Sequence, residues 1–146
     1  MEYKIPTMTL PLAANAIVLH PDGRVLACTR RNQPSQWGLP GGKVDLGEDP
    51  AHAAHRELHE ETGVFAENSM LIWEAVDSHQ YLTRAYLMYD LVPGTLWNPT
   101  EPYQIEPGIT VDWVDRSILT DPTSSPFASY NRAVFAALDA LIGKES

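Results

Sequence analysis

Cysteine, long apolar runs and basic charge are all in short supply in this sequence, and each shortage excludes something. Cys28 is the single cysteine among 146 residues, so neither an internal disulfide nor a multi-cysteine zinc site can be assembled from the chain. No apolar run approaches the roughly 20 residues that cross a bilayer, and no membrane partner is expected. Ten Lys and Arg stand against 19 Asp and Glu, a formal net charge of -9 with a pI near 4.8. That balance repels a phosphate backbone and argues against a general binder of nucleic acid or of anionic lipid. An acidic chain still handles a polyphosphate where bound divalent cations reverse the local sign. Ala14-Asn15-Ala16 is faintly like a signal-cleavage site, yet only Lys4 is basic before it and no apolar stretch precedes it. The expected location is therefore the cytoplasm.

What is present is ordinary globular material, 44% apolar and 20% charged, and 16.2 kDa corresponds to one domain over residues 1–146. Strand-like runs at 13–19 and 24–29 flank His20-Pro21-Asp22-Gly23, whose Asp-Gly pair predicts a hairpin. Segment 32–46 reads as a loop carrying Pro34, Pro40, Gly41 and Gly42. Asp49-Pro50 suits the cap and first turn of a helix that Gly63 would close. Strands are expected at 71–76, 81–91 and 110–114. A last helix over about 126–142 places Phe127, Tyr130, Val134, Leu138 and Leu141 at helical spacing. Strands mixed with two separated helices indicate an α/β or α+β layered domain.

Chemistry concentrates on the first helix. Glu57, Glu60 and Glu61 fall at i, i+3 and i+4, which projects three carboxylates from one face. Like charges at that spacing destabilise a helix unless something positive offsets them, and Arg56 is the only cation nearby in the helix. Converging hard oxygens suit Mg²⁺ or Mn²⁺, and Gly41-Gly42 would let backbone approach the same spot. A solvated acidic helix face accounts for the same three residues at this point.

The stretch from Gly42 to Val64 resembles the 23-residue box of the Nudix hydrolases, G-x5-E-x7-R-E-U-x-E-E-x-G-U with U a bulky aliphatic. Gly42, Glu48, Arg56, Glu57, Leu58, Glu60, Glu61, Gly63 and Val64 match all nine specified positions. Trp37-Gly38-Leu39-Pro40-Gly41 is similar to the approach to that box. The resemblance implies an α+β fold, the Nudix-type α/β/α sandwich with a mixed central sheet. It implies that Glu57, Glu60 and Glu61 bind the metal, Mg²⁺ with Mn²⁺ as a substitute, joined by a carbonyl of Gly41 or Gly42. Glu57 in some members orients or deprotonates water instead. Arg56 would pair with Glu48 and hold the carboxylates in place.

The implied activity is pyrophosphohydrolysis, in which water attacks a nucleoside diphosphate linked to a group X. The compact length resembles members that act on a (deoxy)nucleoside triphosphate, releasing monophosphate and pyrophosphate. Dinucleoside polyphosphates, ADP-ribose and nucleotide sugars are the alternatives within the enzyme class, and a non-catalytic nucleotide-binding module is the alternative outside it. Such modules typically lose box carboxylates, which this chain keeps. The expected partner is a small nucleotide rather than an extended nucleic acid. A homodimer is common in the family, with Leu96, Trp97 and Ile105 as candidate contacts.

Outside the box, the family often uses a distal glutamate as base or metal ligand, and Glu101 and Glu106 are the candidates, each also readable as a solvated loop carboxylate. Arg30 and Arg31 end the second strand close to the box and suit substrate phosphates; Arg84 is a further candidate. Base recognition needs an aromatic face, for which Tyr81, Tyr86, Trp97, Tyr103 and Trp113 stand, with core packing the plainer reading of each. Tyr81 lies 17 residues past Val64, a position similar to that of a tyrosine in dinucleoside polyphosphate hydrolases. His79 and Gln80 stand where ADP-ribose hydrolases carry a proline. His79 is also a candidate base, whereas His52, His55 and His59 read as helix exterior and Cys28 as a small buried hydrophobe.

Overall fold

The computed structural model of the chain describes residues 10–92 and 101–143. In chain order the elements are β1 (Leu12–Ile17), β2 (Val25–Arg30), β3 (Gln33–Gly38), β4 (Gly41–Lys43), α1 (Pro50–Thr62), β5 (Ala66–Val76), β6 (Leu82–Leu91), β7 (Val111–Val114), α2 (Arg116–Thr120) and α3 (Ala128–Leu141). They form a four-stranded sheet in the order β4-β1-β6-β5 and a three-stranded sheet in the order β3-β2-β7. The β1–β6 pair is parallel and the other pairs are antiparallel. This is the α+β fold with mixed strand directions, its sheet divided in two.

Period-two alternation decides which helix each strand residue meets. Ala14, Ala16, Leu26, Cys28, Tyr86 and Met88 pack on one side with Ala53, Ala54 and Leu58 of α1. Their sequence neighbours Ile17, Val25, Ala27 and Ala85 pack on the other side with Tyr130, Val134, Phe135 and Leu138 of α3. Strands apolar on both faces are therefore central, and a helix covers each side. Among the described residues no helix is long and apolar enough to cross a membrane.

The Asp-Gly turn forms, with the Gly23 N–H donating to the His20 carbonyl at 2.9 Å and the His20 N–H to the Arg24 carbonyl at 2.8 Å. The expected hairpin does not extend beyond it. Past the Leu26–Val18 hydrogen bond the strands part, β1 lying between β4 and β6 and β2 between β3 and β7. A turn fixes only the residue pairs beside it, and burial on both faces draws each strand to the middle of its own sheet.

Segment 32–46, expected as a loop, holds β3 and β4 instead. Pro34 is tolerated because β3 is an edge strand. Gly41 is a point of close approach, since a Cβ there would meet Asn15 Cβ at 2.7 Å and the Ala14 carbonyl closer still. β5 starts five residues before the expected 71, at Ala66 (71 minus 66). The short α2, unforeseen in the sequence, starts where the Asp115 side chain accepts from the Ser117 N–H. The helix of the carboxylates matches expectation: Asp49 accepts from the Ala51 N–H at 2.8 Å, Pro50 opens the first turn, and Gly63 closes the last at φ 76. The Tyr103 hydroxyl donates to the Thr62 carbonyl at 2.6 Å and ties that end down.

Candidate functional site

Arg56 answers the like-charge problem on α1. Its Nε and Nη2 donate to the two oxygens of Glu48 at 2.8 and 2.9 Å, a bidentate fork. Its Nη1 donates to Glu57 at 3.0 Å and to Glu60 at 3.2 Å, and its Nη2 reaches the Lys43 carbonyl at 3.3 Å. Glu48 also accepts from the Asp45 N–H at 3.0 Å and meets His52 Nδ1 at 2.9 Å. The guanidinium holds the Glu48 carboxyl far below the usual carboxylate range, and Glu48 in turn keeps Arg56 more firmly protonated. One cation is thus shared among three carboxylates and the loop leading into the helix.

Glu57, bound to that guanidinium, also meets Glu61. The Glu57 carboxylate lies against Gly42 so closely that a Cβ there would stand 2.6 Å from its Oε1. A side chain at position 42 would push that carboxylate aside. The buried Glu61 carboxyl interacts with that of Glu57, and with the Gly41 N–H and the Cys28 thiol. Burial, and then the charge of Glu57, push its pKa well above the ordinary value. Glu60 is exposed and turned to Arg56. Among the described residues no three His, Cys, Asp or Glu side chains converge so as to hold a metal ion together. The structure therefore brings Glu57 and Glu61 together over Gly41 and Gly42 and leaves Glu60 on Arg56. The donor set fits a hard divalent cation: two carboxyls in contact require a proton or a positive ion between them, and every donor is oxygen.

A cleft of about 510 Å³ opens beside Glu61, Gly41 and Gly42. Arg30, Arg31, Tyr81 and His79 line it as the sequence suggested, and so do Lys43 and Phe127, which sequence reasoning passed over. Arg31 is engaged, donating to Glu106 at 2.7 Å and to the Pro107 carbonyl at 3.1 Å. Arg31 lines the cleft, so this pairing sets Glu106 beside it. Glu101 is exposed, and among the described residues no hydrogen bond or ion pair joins it to Glu61.

Arg84 pairs with Glu74 across the β5–β6 ladder and does not line the cleft. Tyr86 and Trp113 are core residues, and Tyr103 is engaged at the end of α1. Leu96 and Trp97 lie outside the described residues, while Ile105 is exposed. His59 stacks on Phe65 at 3.9 Å. The signal for Lys43 was faint, an unspecified position just after two glycines. Phe127 read as part of a helix stripe, and Cys28 as core, which it is, with its thiol also on Glu61.

Comparison with known proteins adds three findings. The family model described as the NUDIX domain matches residues 9–128. An RNA pyrophosphohydrolase of Cereibacter sphaeroides is 35% identical over 103 residues, which cover 66% of this chain and 59% of that protein. The chain thus spans less than two thirds of the relative's length. Among solved structures, the MutT NUDIX hydrolase of Burkholderia pseudomallei is 26% identical with a TM-score of 0.57, covering 75% of this chain and 86% of the other. A NUDIX hydrolase of Nitrosomonas europaea matches in fold at a TM-score of 0.65 and 18% identity, over 88% of this chain and 90% of the other.

Proposed function

The chain belongs to the NUDIX domain family, and from that membership we propose that it is a divalent-metal-dependent pyrophosphohydrolase cleaving a phosphoanhydride bond of a nucleoside diphosphate linked to a group X. The observation that carries the reading is the Glu57–Glu61 carboxyl pair, seated on Gly41 and Gly42 at the side of the cleft. Glu57 and Glu61 would hold the cation, Mg²⁺ by preference and Mn²⁺ as a substitute, with a carbonyl of Gly41 or Gly42 beside them, and Glu60 would join them only by turning from Arg56. The chemistry a divalent cation supplies there is neutralisation of phosphate-oxygen charge and acidification of water. Arg56 orients Glu57 and Glu60 while Glu48 anchors the guanidinium. Burial and Glu57 favour the neutral form of the Glu61 carboxyl, and a cation bound there would favour the charged form instead. Glu106, steadied by Arg31, is the better placed of the two distal glutamates to accept a proton from water.

The substrate of first choice is a (deoxy)nucleoside triphosphate, split to monophosphate and pyrophosphate. A triphosphorylated RNA end is a second reading, favoured by the name of the Cereibacter relative. The test is a panel of (deoxy)nucleoside triphosphates, dinucleoside polyphosphates, ADP-ribose, nucleotide sugars and a triphosphorylated RNA, with Mg²⁺ and with Mn²⁺. Monophosphate plus pyrophosphate from a triphosphate, abolished by chelator, is the expected result. Turnover of another member alone changes the substrate and keeps the reaction. No turnover by folded protein with either metal overturns the hydrolase reading in favour of a binding module.

A further inference from the structure

The turn between β5 and β6 is built around one side chain that the site as described leaves unused. Asp77 Oδ1 accepts from the His79 N–H at 2.8 Å and the Tyr81 N–H at 3.2 Å, and its Oδ2 accepts from the Thr83 hydroxyl at 2.8 Å. The Asp77 backbone closes the same turn, its N–H donating to the Tyr81 carbonyl at 2.9 Å and its carbonyl accepting from the Gln80 N–H at 3.1 Å. The two amides held by Oδ1 stand on either side of Gln80. That residue lies at φ 67, a left-handed conformation uncommon for anything but glycine. Such a backbone persists where its surroundings over-determine it, and here one carboxylate gathers three donors to do so. Thr83 is buried and its carbonyl accepts from the Tyr130 hydroxyl of α3 at 3.3 Å, which moors the turn to the core. Asp77, His79, Tyr81 and Thr83 all line the cleft beside Glu61. The His79 ring tilts against Phe127 with 4.8 Å between centroids, and Lys43 Nζ lies 5.8 Å from the Tyr81 centroid. Ser78 Oγ adds contacts with His79 Nδ1 at 3.1 Å and the Pro126 carbonyl at 3.4 Å.

We propose that Asp77 is a positioning residue of the cleft, its carboxylate holding the 77–81 turn in the one shape that sets His79 against Phe127 and Tyr81 beneath Lys43. This rests on the hydrolase reading above, which makes the cleft the place of the substrate, and deepens it. Asp77 touches no reacting atom in this assignment and acts through the two side chains it places. Without the carboxylate, two amides and a buried hydroxyl lose their acceptor, and Gln80 is released toward ordinary backbone conformations. His79 and Tyr81, its immediate neighbours, move with it. The carboxylates of α1 sit on another element and keep their geometry. The loss therefore falls on binding, read in KM, and spares the chemical step, read in kcat. Asparagine keeps the oxygen that both amides need, and its amide nitrogen meets the Thr83 hydroxyl as a donor instead. Glutamate keeps the charge and carries the oxygens one methylene too far.

The experiment compares the wild type with Asp77→Ala, Asp77→Glu, Asp77→Asn and the control Asp90→Ala. The control removes a carboxylate from the far end of the β5–β6 ladder, where it accepts from Asn68. Steady-state kinetics on the four deoxynucleoside triphosphates with Mg²⁺ give kcat and KM, and thermal melting reports folding. Proton NMR follows the His79 ring, assigned through His79→Gln. Positioning predicts KM raised about tenfold in Asp77→Ala and Asp77→Glu, with kcat within about twofold of wild type. Asp77→Asn should recover KM to within about threefold, and Asp90→Ala should leave both constants unchanged. The His79 ring resonances, displaced by the Phe127 ring, should move toward those of a histidine without a ring neighbour in the Ala and Glu variants alone. Asp77→Glu carries the test if Asp77→Ala does not fold. An aspartate that is merely structural lowers the melting temperature and leaves KM and the His79 resonances of the folded variants as in wild type, which overturns the proposal. So does an equal rise of KM in Asp90→Ala, a rise that Asp77→Asn fails to recover, or a loss confined to kcat. A wild type that turns over none of the four sinks the reading of the substrate and leaves Asp77 to the NMR: resonances that move in the Ala and Glu variants uphold its role, and unchanged ones overturn it.

Discussion

The two long helices lie on opposite faces of the sheets and are almost equal in length, 13 residues in α1 and 14 in α3, but they are held by opposite means. α1 has a side-chain cap at Asp49, proline in its first turn, glycine at its end and an arginine tied to three carboxylates. It buries Ala53, Ala54, Leu58 and Thr62. α3 starts at Phe127 with no side-chain cap and buries Ala128, Tyr130, Asn131, Val134, Phe135 and Leu138. A helix that must present charge carries its own start, stop and counter-ion, whereas a helix that serves as a wall takes its position from what it covers. Changes on the polar face of α1 should therefore strike activity and spare the fold, while changes in α3 should do the reverse.

The sharpest break of that contrast would come from Glu61→Gln. It should lower turnover about a thousandfold, the several kcal/mol that metal charge stabilisation supplies, without lowering the melting temperature of the metal-free protein. Steady-state rates beside a thermal melt decide it, and wild-type turnover would remove Glu61 from the site. Next in size is Leu138→Ala in α3. Losing a fully buried leucine should cost about 2–5 kcal/mol in denaturant unfolding, with kcat unchanged below the melting transition.

Glu48→Gln should follow, cutting kcat/KM by about 10–100-fold as Arg56 loses its anchor. It should also leave a trace in pH. The Glu48 carboxyl is held below its ordinary value by Arg56, so its contribution is fully present above the unfolded carboxylate pKa of about 4.3 and fades as pH falls below that. The melting-temperature gap between wild type and Glu48→Gln should be constant from pH 6 to 7 and shrink toward pH 3, both being order-of-magnitude windows about that value. The smallest effect belongs to Asp49→Ala, about 1 kcal/mol from loss of the cap hydrogen bond. α3 offers no equivalent cap to remove.

The same contrast explains what could be read without coordinates. Every signal for α1 is local: Asp49-Pro50, the spacing of Glu57, Glu60 and Glu61, and Gly63 each act within a turn or two, so the helix and its charged face were legible residue by residue. The parting of β1 from β2 was not, because an Asp-Gly turn reports only on its neighbours while strand partners are chosen across the chain. Proline and glycine in 32–46 suggested a loop for the same reason. Only the sheet shows that Pro34 lies on an edge and that Gly41 and Gly42 make room for Asn15 and Glu57. Glu106 stood among several loop carboxylates until Arg31 fixed it, and Arg84 resembled Arg30 until Glu74 claimed it.

By itself, then, the sequence determined the family, the charged helix and the kind of ion its oxygens suit, since these depend on residue types at fixed short spacings. Tertiary structure alone decided that Glu57 and Glu61 share a contact while Glu60 stays with Arg56. It decided too which cations are neutralised by distant carboxylates. Charge pairing between elements far apart in the chain is a matter of distance in space, and spacing along the sequence carries no record of it.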